Sequence, residues 1–201
     1  MNSTPAADRK RTADRVARLV TSVTAPTNVA LVLLIAVAVH SRGASSGAWG
    51  ALAAGFASLL PLAFLLVGVR RGRWQNRHVP DRAQRWLPLL VAAASVSTAL
   101  VILIVGGAPR PLVALLAAML AGLGLALAVS LVWKVSIHTA VVAGAVVVAA
   151  LDFGVGSLAG TVPLLALVSW SRVRLGDHTT GQVAAGAVSG ALAACLAGVL
   201  Q

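Results

Sequence analysis

The chain has 201 residues, of which 59% are hydrophobic and only 10% are charged. A soluble domain carries about 25% charged residues, so this composition excludes an ordinary water-soluble fold and indicates a protein that lies in lipid. Sixteen Lys and Arg against five acidic residues give a formal charge of +11, but aromatic residues make up only 4%. The aromatic residues are too few and too scattered to interleave with the basic clusters and form a stacking platform, which argues against nucleic acid as the partner.

The N-terminal segment is polar and basic, in contrast to everything that follows it. We predict that residues 1–19 form a flexible or surface-lying cytoplasmic tail. Residues 20–201 contain repeated apolar runs and no second stretch of soluble composition. They are predicted to form a single integral membrane domain.

Seven apolar runs follow the tail in chain order. They cover residues 20–40, 49–69, 87–105, 111–133, 139–155, 158–170 and 182–200. A helix needs about 20 apolar residues to span a bilayer, and the second, third, fourth and seventh runs meet that length. The first run contains Pro26 and Asn28 and is either a span or an interfacial helix. The fifth and sixth runs, separated only by a glycine-rich link at 154–160, are predicted to form a tight helical hairpin.

Backbone groups in lipid must be satisfied within their own segment, and no alternating strand pattern is present. The fold class is therefore predicted to be all-α, a polytopic transmembrane helix bundle with six to seven spans. In the last run, Gly186 and Gly190 lie four residues apart. This spacing favours close helix packing.

The basic residues are unevenly distributed between the two ends of the predicted bundle. With seven spans, fourteen of the sixteen share one face, and only Arg42 and Arg110 lie on the other. The positive-inside rule then places the crowded face in the cytoplasm. We therefore predict a multi-pass protein of the plasma membrane whose polar loops at that face are cytoplasmic.

Three polar segments meet at this crowded face. They are RRGRWQNRHVPDRAQR at 70–85, WKVSIHTA at 133–140 and SRVRLGDHTTGQVAAG at 171–186. Arg side chains bind phosphate in a bidentate way, and a nearby His can attack phosphorus. The position of these groups beside lipid headgroups predicts a lipid phosphate as ligand.

The third segment resembles the third signature of the type-2 phosphatidic acid phosphatase (PAP2) superfamily. In that signature SR is followed by five residues, His, three residues and Asp, and Ser171, Arg172 and His178 match. The sequence VSIH is similar to the second signature, PSGH, at Ser136 and His138. The first signature, a Lys followed by an Arg-Pro pair, is absent in regular form.

The resemblance implies a role for each matching residue. Neutral His178 attacks phosphorus to form a phosphohistidine, and protonated His138 gives a proton to the departing alkoxide. Arg172, with Lys134 and the Ser136 hydroxyl, holds the phosphoryl oxygens. Helices that begin near Ser136 and Thr179 add backbone N–H donors. No cofactor and no metal are expected, since the chain has no acid-rich cluster.

Further candidates complete the predicted site. Ser171, Arg77 and Arg82 are assigned to phosphate binding, the two arginines from the basic loop at 70–85. Gln182 occupies the position at which the family has Asp, four residues after the nucleophile and on the same helical face. An amide can orient His178 through its carbonyl but carries no charge to stabilise it. Asp177 is predicted to be the N-cap of the last helix.

Two functions follow from this pattern. The first is a membrane-embedded phosphatase that hydrolyses a phosphomonoester or pyrophosphate of a lipid or isoprenoid, with membrane lipids around it. Retention of Arg172, His138 and His178 favours it. The second is a catalytically weakened protein that binds or transports a lipid phosphate, which Gln182 favours. For Asp152, inside the fifth run, a functional intramembrane acid and a residue at the far interface are both open.

Overall fold

The structure is a computed structural model, and it describes residues 5–41, 45–74, 84 and 86–201. The described residues form helices and no strand, which confirms the all-α prediction. In chain order the helices are α1 (Pro5–Val23), α2 (Pro26–His40), α3 (Ser46–Ala54), α4 (Leu60–Arg70), α5 (Trp86–Val105), α6 (Arg110–Val132), α7 (Ile137–Phe153), α8 (Leu158–Arg174) and α9 (Thr180–Leu200). A π-helical turn, Gly55–Leu59, joins α3 to α4.

Four of these helical segments are long and apolar enough to cross a membrane. They are Ser46–Arg70, Trp86–Val105, Arg110–Val132 and Thr180–Leu200, and the bent pair α1–α2 makes a fifth if it is one span. Large apolar side chains are exposed on the outer faces of the bundle, among them Ile104 on α5 and Leu192 on α9. A surface of this kind suits contact with lipid better than contact with water.

The first apolar run is divided into two helices that meet at an angle of 49°. Pro26 begins α2, where its missing N–H costs nothing, and it cannot continue the hydrogen bonds of α1. The Asn28 side-chain amide donates to the carbonyls of Ser22 and Val23. These bonds satisfy backbone acceptors that the break leaves open. The basic segment upstream is helical in the structure and packs against α8.

Helices α7 and α9 pack closely along the middle of the bundle. A Cβ atom at Gly186 would collide with the Ser136 carbonyl, and one at Gly190 would collide with the backbone of Ala140. The predicted close packing at these two glycines is therefore confirmed. Helices α7 and α8 form the expected hairpin, in which Gly154 takes a positive φ of 85° that other residues rarely adopt.

The buried apolar core lies between α2, α3, α5, α6, α7 and α9. Its fully buried members include Leu34, Leu103, Leu112 and Leu116. This core fixes the relative positions of the helices whose ends carry the polar segments. It therefore decides which of the predicted site residues can meet.

Candidate functional site

Two helix N-termini lie side by side where the polar segments of the sequence converge. Ser136 caps α7 by accepting a hydrogen bond from the Thr139 amide, and Thr179 caps α9 by accepting one from Gln182. The Ser136 amide also donates to the Gln182 carbonyl at 3.2 Å, which ties the two starts together. The predicted helix starts near Ser136 and Thr179 are confirmed. Adjacent N-termini direct partial positive charge to one place, where an anion is favoured.

His178 is buried in the turn that leads into α9. Its backbone amide donates to the Arg172 carbonyl at 3.3 Å, and Gly176, with a φ of 70°, allows the chain to reverse. The imidazole Nδ1 lies 3.2 Å from the Gln182 Oε1 atom. The i, i+4 spacing of the two residues on the helix start thus produces the contact that the sequence predicts.

The Gln182 side chain determines which nitrogen of His178 carries the proton. The Thr179 amide can only donate, and it faces the same Gln182 atom at 3.2 Å, so that atom is the carbonyl oxygen. A carbonyl oxygen accepts, so His178 donates its Nδ1–H. In the neutral imidazole the lone pair is then on Nε2, the position that a nucleophilic attack needs. Gln182 therefore orients His178 and completes the capping box of α9.

Arg172 lies in the last turn of α8 and is buried. Its Nη1 donates to Asp177 Oδ2 at 3.0 Å and to Thr21 Oγ1 at 3.4 Å. Its Nε has no hydrogen-bond partner among the described residues. A buried donor that the protein leaves open is costly, so it marks a position where a ligand acceptor fits.

Asp177 does not have the position that the sequence predicts. It was predicted to be the N-cap of the last helix, and this is wrong because Thr179 caps α9 and Asp177 pairs with Arg172. The turn at Gly176 carries the Asp177 carboxylate back towards α8. Lys134 reinforces that turn, since its Nζ donates to the Asp177 carbonyl at 2.7 Å.

The two serines assigned to phosphate binding are fully buried and bonded within the protein. The Ser136 hydroxyl caps α7, and the Ser171 hydroxyl donates to the Val168 carbonyl at 2.8 Å. Neither serine lines the cavity described below, and Lys134 does not line it either. The structure therefore places these three residues around the site, in supporting positions. Arg77 and Arg82 lie outside the described residues.

A cavity of about 280 Å³ opens inside the bundle beside these groups. His138, Arg172 and His178 all line it, so residues 34 and 40 positions apart in the sequence share one wall. Thr27 and Ser189 add polar atoms, and every other lining residue is apolar or glycine. The arrangement combines an anion-attracting end with an apolar interior, which is the character of a site for an amphiphilic anion.

Thr21 is a part of this arrangement that the sequence did not indicate. It is buried on α1, and its Oγ1 lies 3.2 Å from the Ser171 hydroxyl and accepts from Arg172. Because Ser171 uses its proton on Val168, the Thr21 hydroxyl donates to Ser171. An ion pair between Arg174 and Asp14, at 2.8 Å, holds the same two helices together. No local pattern predicts contacts over some 150 positions, so only the fold could reveal Thr21.

Asp152 lies at the opposite end of α7 from His138. Its Oδ1 accepts from the Gln201 side-chain amide at 2.9 Å. Of the two possibilities left open by the sequence, this position favours a residue near the far end of the bundle.

Comparison with protein-family models, with curated proteins and with solved structures finds no match to this chain.

Proposed function

We propose that the protein is an integral membrane lipid-phosphate phosphatase of the PAP2 type. It would hydrolyse a phosphomonoester or pyrophosphate of a lipid or isoprenoid through a phosphohistidine. The observation that carries the proposal is the meeting of His138, Arg172 and His178 at one end of an apolar cavity. These are the three residues that the resemblance assigns to general acid, phosphate binding and nucleophile.

In the first step the Nε2 lone pair of His178 attacks phosphorus. The P–N bond forms as the bond from phosphorus to the lipid oxygen breaks, and protonated His138 gives its proton to that oxygen. The lipid leaves as an alcohol, or as a monophosphate when the substrate is a pyrophosphate. Gln182 accepts from Nδ1–H throughout, so it keeps the imidazole in the reactive tautomer.

In the second step water attacks the phosphohistidine. Now neutral His138 accepts a proton from the water, the P–N bond breaks, and inorganic phosphate leaves with both histidines restored. Negative charge is spread over the phosphoryl oxygens in both transition states. The open Nε donor of Arg172 and the N-termini of α7 and α9 are positioned to stabilise that charge.

We further propose a multi-pass arrangement in the plasma membrane with the site at the cytoplasmic face. This arrangement has up to seven spans, which are α2, the joined α3–α4, and each helix from α5 to α9. Helix α1 lies along the membrane surface. The basic α1, which carries Arg9, Arg15 and other cations on exposed positions, packs against α8, whose last turn holds Arg172. The excess of positive charge at that end supports a cytoplasmic location.

A second candidate function is binding or transport of a lipid phosphate without turnover. Two observations favour it. Gln182 offers His178 a neutral partner, so the imidazolium that forms during catalysis receives no charge stabilisation. The Asp177 carboxylate also occupies Nη1 of Arg172, where a phosphate oxygen would otherwise bind.

Phosphate release by the purified protein tests the proposal. We expect release from a single-chain or two-chain lipid monophosphate in detergent without added Mg²⁺, and we expect His178→Ala to abolish it. His40→Ala is the matched control because His40 is exposed and lies far from the cavity, and it should retain full activity. Equal release by the His178→Ala protein would exclude the mechanism. Binding of several lipid phosphates without release would favour the second function.

A further inference from the structure

The apolar part of the cavity extends well beyond the groups that would bind phosphate. On α7 its wall runs from His138 to Val148, which is about 15 Å at the helical rise per residue. Small residues create the space, including Ala145 on α7, Gly122 on α6 and Ala193 on α9. Protein interiors are close-packed, so an apolar void of this size is unusual and favours a bound occupant.

The dimensions of the cavity limit what can occupy it. A dry protein cavity of about 150 Å³ binds one benzene molecule of six carbons, so a cavity of about 280 Å³ holds roughly eleven carbons of a hydrocarbon chain. That is enough for the first part of one hydrocarbon chain and too little for two acyl chains side by side. The polar end, with Arg172 and two histidines, fixes the orientation of an occupant that carries a phosphate.

We propose that this cavity binds one apolar chain of the substrate inside the bundle. The substrate class is then a single-chain lipid phosphate, of alkyl or isoprenoid type, rather than a diacylglycerol phosphate. The assignment of the polar end to phosphate rests on the proposed function. The chain-binding part rests on the volume, length and lining of the cavity alone.

Chain length provides the first test. The probes are n-alkyl monophosphates of four to fourteen carbons, below their micelle-forming concentrations, with the full chain carrying His178→Ala so that nothing is hydrolysed. Each methylene that enters the cavity should lower Kd roughly fourfold at most, and the gain should stop near ten carbons. A Kd that does not depend on chain length, or that keeps falling to fourteen carbons, would overturn the proposal.

Filling the cavity provides the second test. Ala145→Leu and Ala193→Phe place new atoms in the space, so the gain in affinity should stop at a shorter chain. Leu192→Phe is the matched control because Leu192 neighbours Ala193 on α9 but is 64% exposed on the outer face. Binding of inorganic phosphate should be the same in all three variants. Identical chain-length limits in the lining variants and the control would contradict the proposal.

The two proposals can fail separately. If the unsubstituted protein releases no phosphate but the chain-length limit and its shift in Ala145→Leu are observed, the cavity assignment stands and the phosphatase does not. If phosphate is released equally from single-chain and diacyl substrates and the lining variants change nothing, the phosphatase stands and the cavity assignment is wrong. The chain-length series does not depend on the lining variants, so it decides the matter even if one of them fails to fold.

Discussion

A histidine, an aspartate and a glutamine lie together at each end of the pair formed by α7 and α9, but the surroundings differ. The histidine of the far end, His40, belongs to α2. At one end His178 contacts Gln182 while Asp177 pairs with buried Arg172. At the other end Gln201 donates to Asp152, and exposed His40 lies edge-on to the Phe153 ring with centroids 5.0 Å apart.

Only the first of these ends combines polar groups with burial and with the cavity. There His138, Arg172 and His178 are buried and line the same space. At the far end the residues are open to the surroundings or bonded in a single pair, and no arginine approaches them among the described residues. The difference shows that residue types alone do not make this site. The site also requires burial, which strengthens electrostatic interactions, and an adjoining apolar space. Each end thus supplies controls for the other.

The largest effect of a substitution that keeps the charge is expected at Arg172. Arg172→Lys retains a cation but loses the planar fork, including the Nε donor that the protein leaves open. We expect kcat/KM for a lipid monophosphate to fall about 10²- to 10³-fold, as for the loss of a donor to a developing oxyanion. The far-end counterpart is Arg110→Lys, at the exposed start of α6, which should leave kcat/KM unchanged. Equal kcat/KM values for the Arg172→Lys and unsubstituted proteins would show that the Arg172 fork takes no part in the reaction.

A smaller effect is expected at Gln182. Gln182→Leu removes the acceptor for His178 Nδ1–H, and the loss of one hydrogen bond should lower kcat about tenfold. Gln182→Glu has the same reach and adds a negative charge beside the developing imidazolium, so kcat should exceed that of the unsubstituted protein.

Gln201→Leu is the far-end control for this pair, because the Gln201 side chain bonds only to Asp152 in the described part of the chain. It should leave kcat unchanged. A rate for Gln182→Glu below that of the unsubstituted protein would show that a neutral orienter is what the reaction requires. Thermal unfolding should accompany these measurements, since Gln182 also completes the capping box of α9, and the loss of that hydrogen bond costs about 1 kcal/mol.

The smallest effect is expected at Thr21. Thr21→Val keeps the shape but removes the acceptor for Arg172 Nη1 and the donor to Ser171. The bond to Arg172 is long, at 3.4 Å, so we expect only a twofold to threefold rise in KM, near the lower end for a hydrogen bond, with kcat little changed. Thr161→Val, near the far end of α8, is the control because its hydroxyl bonds only within the first turns of that helix. A large fall in kcat for Thr21→Val would instead place Thr21 in the chemical step.

Much of the local structure follows directly from the sequence. The apolar runs predict the helices, and Ser136 and Thr179 mark the starts of α7 and α9 because their side chains satisfy free backbone amides. The contact between His178 and Gln182 follows from their spacing, since residues four apart lie on one face of a helix. One prediction was wrong, because Asp177 is not a helix cap. The count of six to seven spans stays a prediction, since four to five helical segments of the described residues are long and apolar enough to cross.

The sequence by itself determined that this protein is helical and apolar, where its helices begin, and which residues near each start carry polar chemistry. Those properties depend on a few neighbouring residues, so local patterns are sufficient to read them. Only the tertiary structure decided that Arg172 pairs with Asp177, that Thr21 contacts Arg172, and that His138 shares a cavity with His178. These contacts depend on how α1, α7, α8 and α9 pack, and packing is determined by side chains distributed over the whole chain.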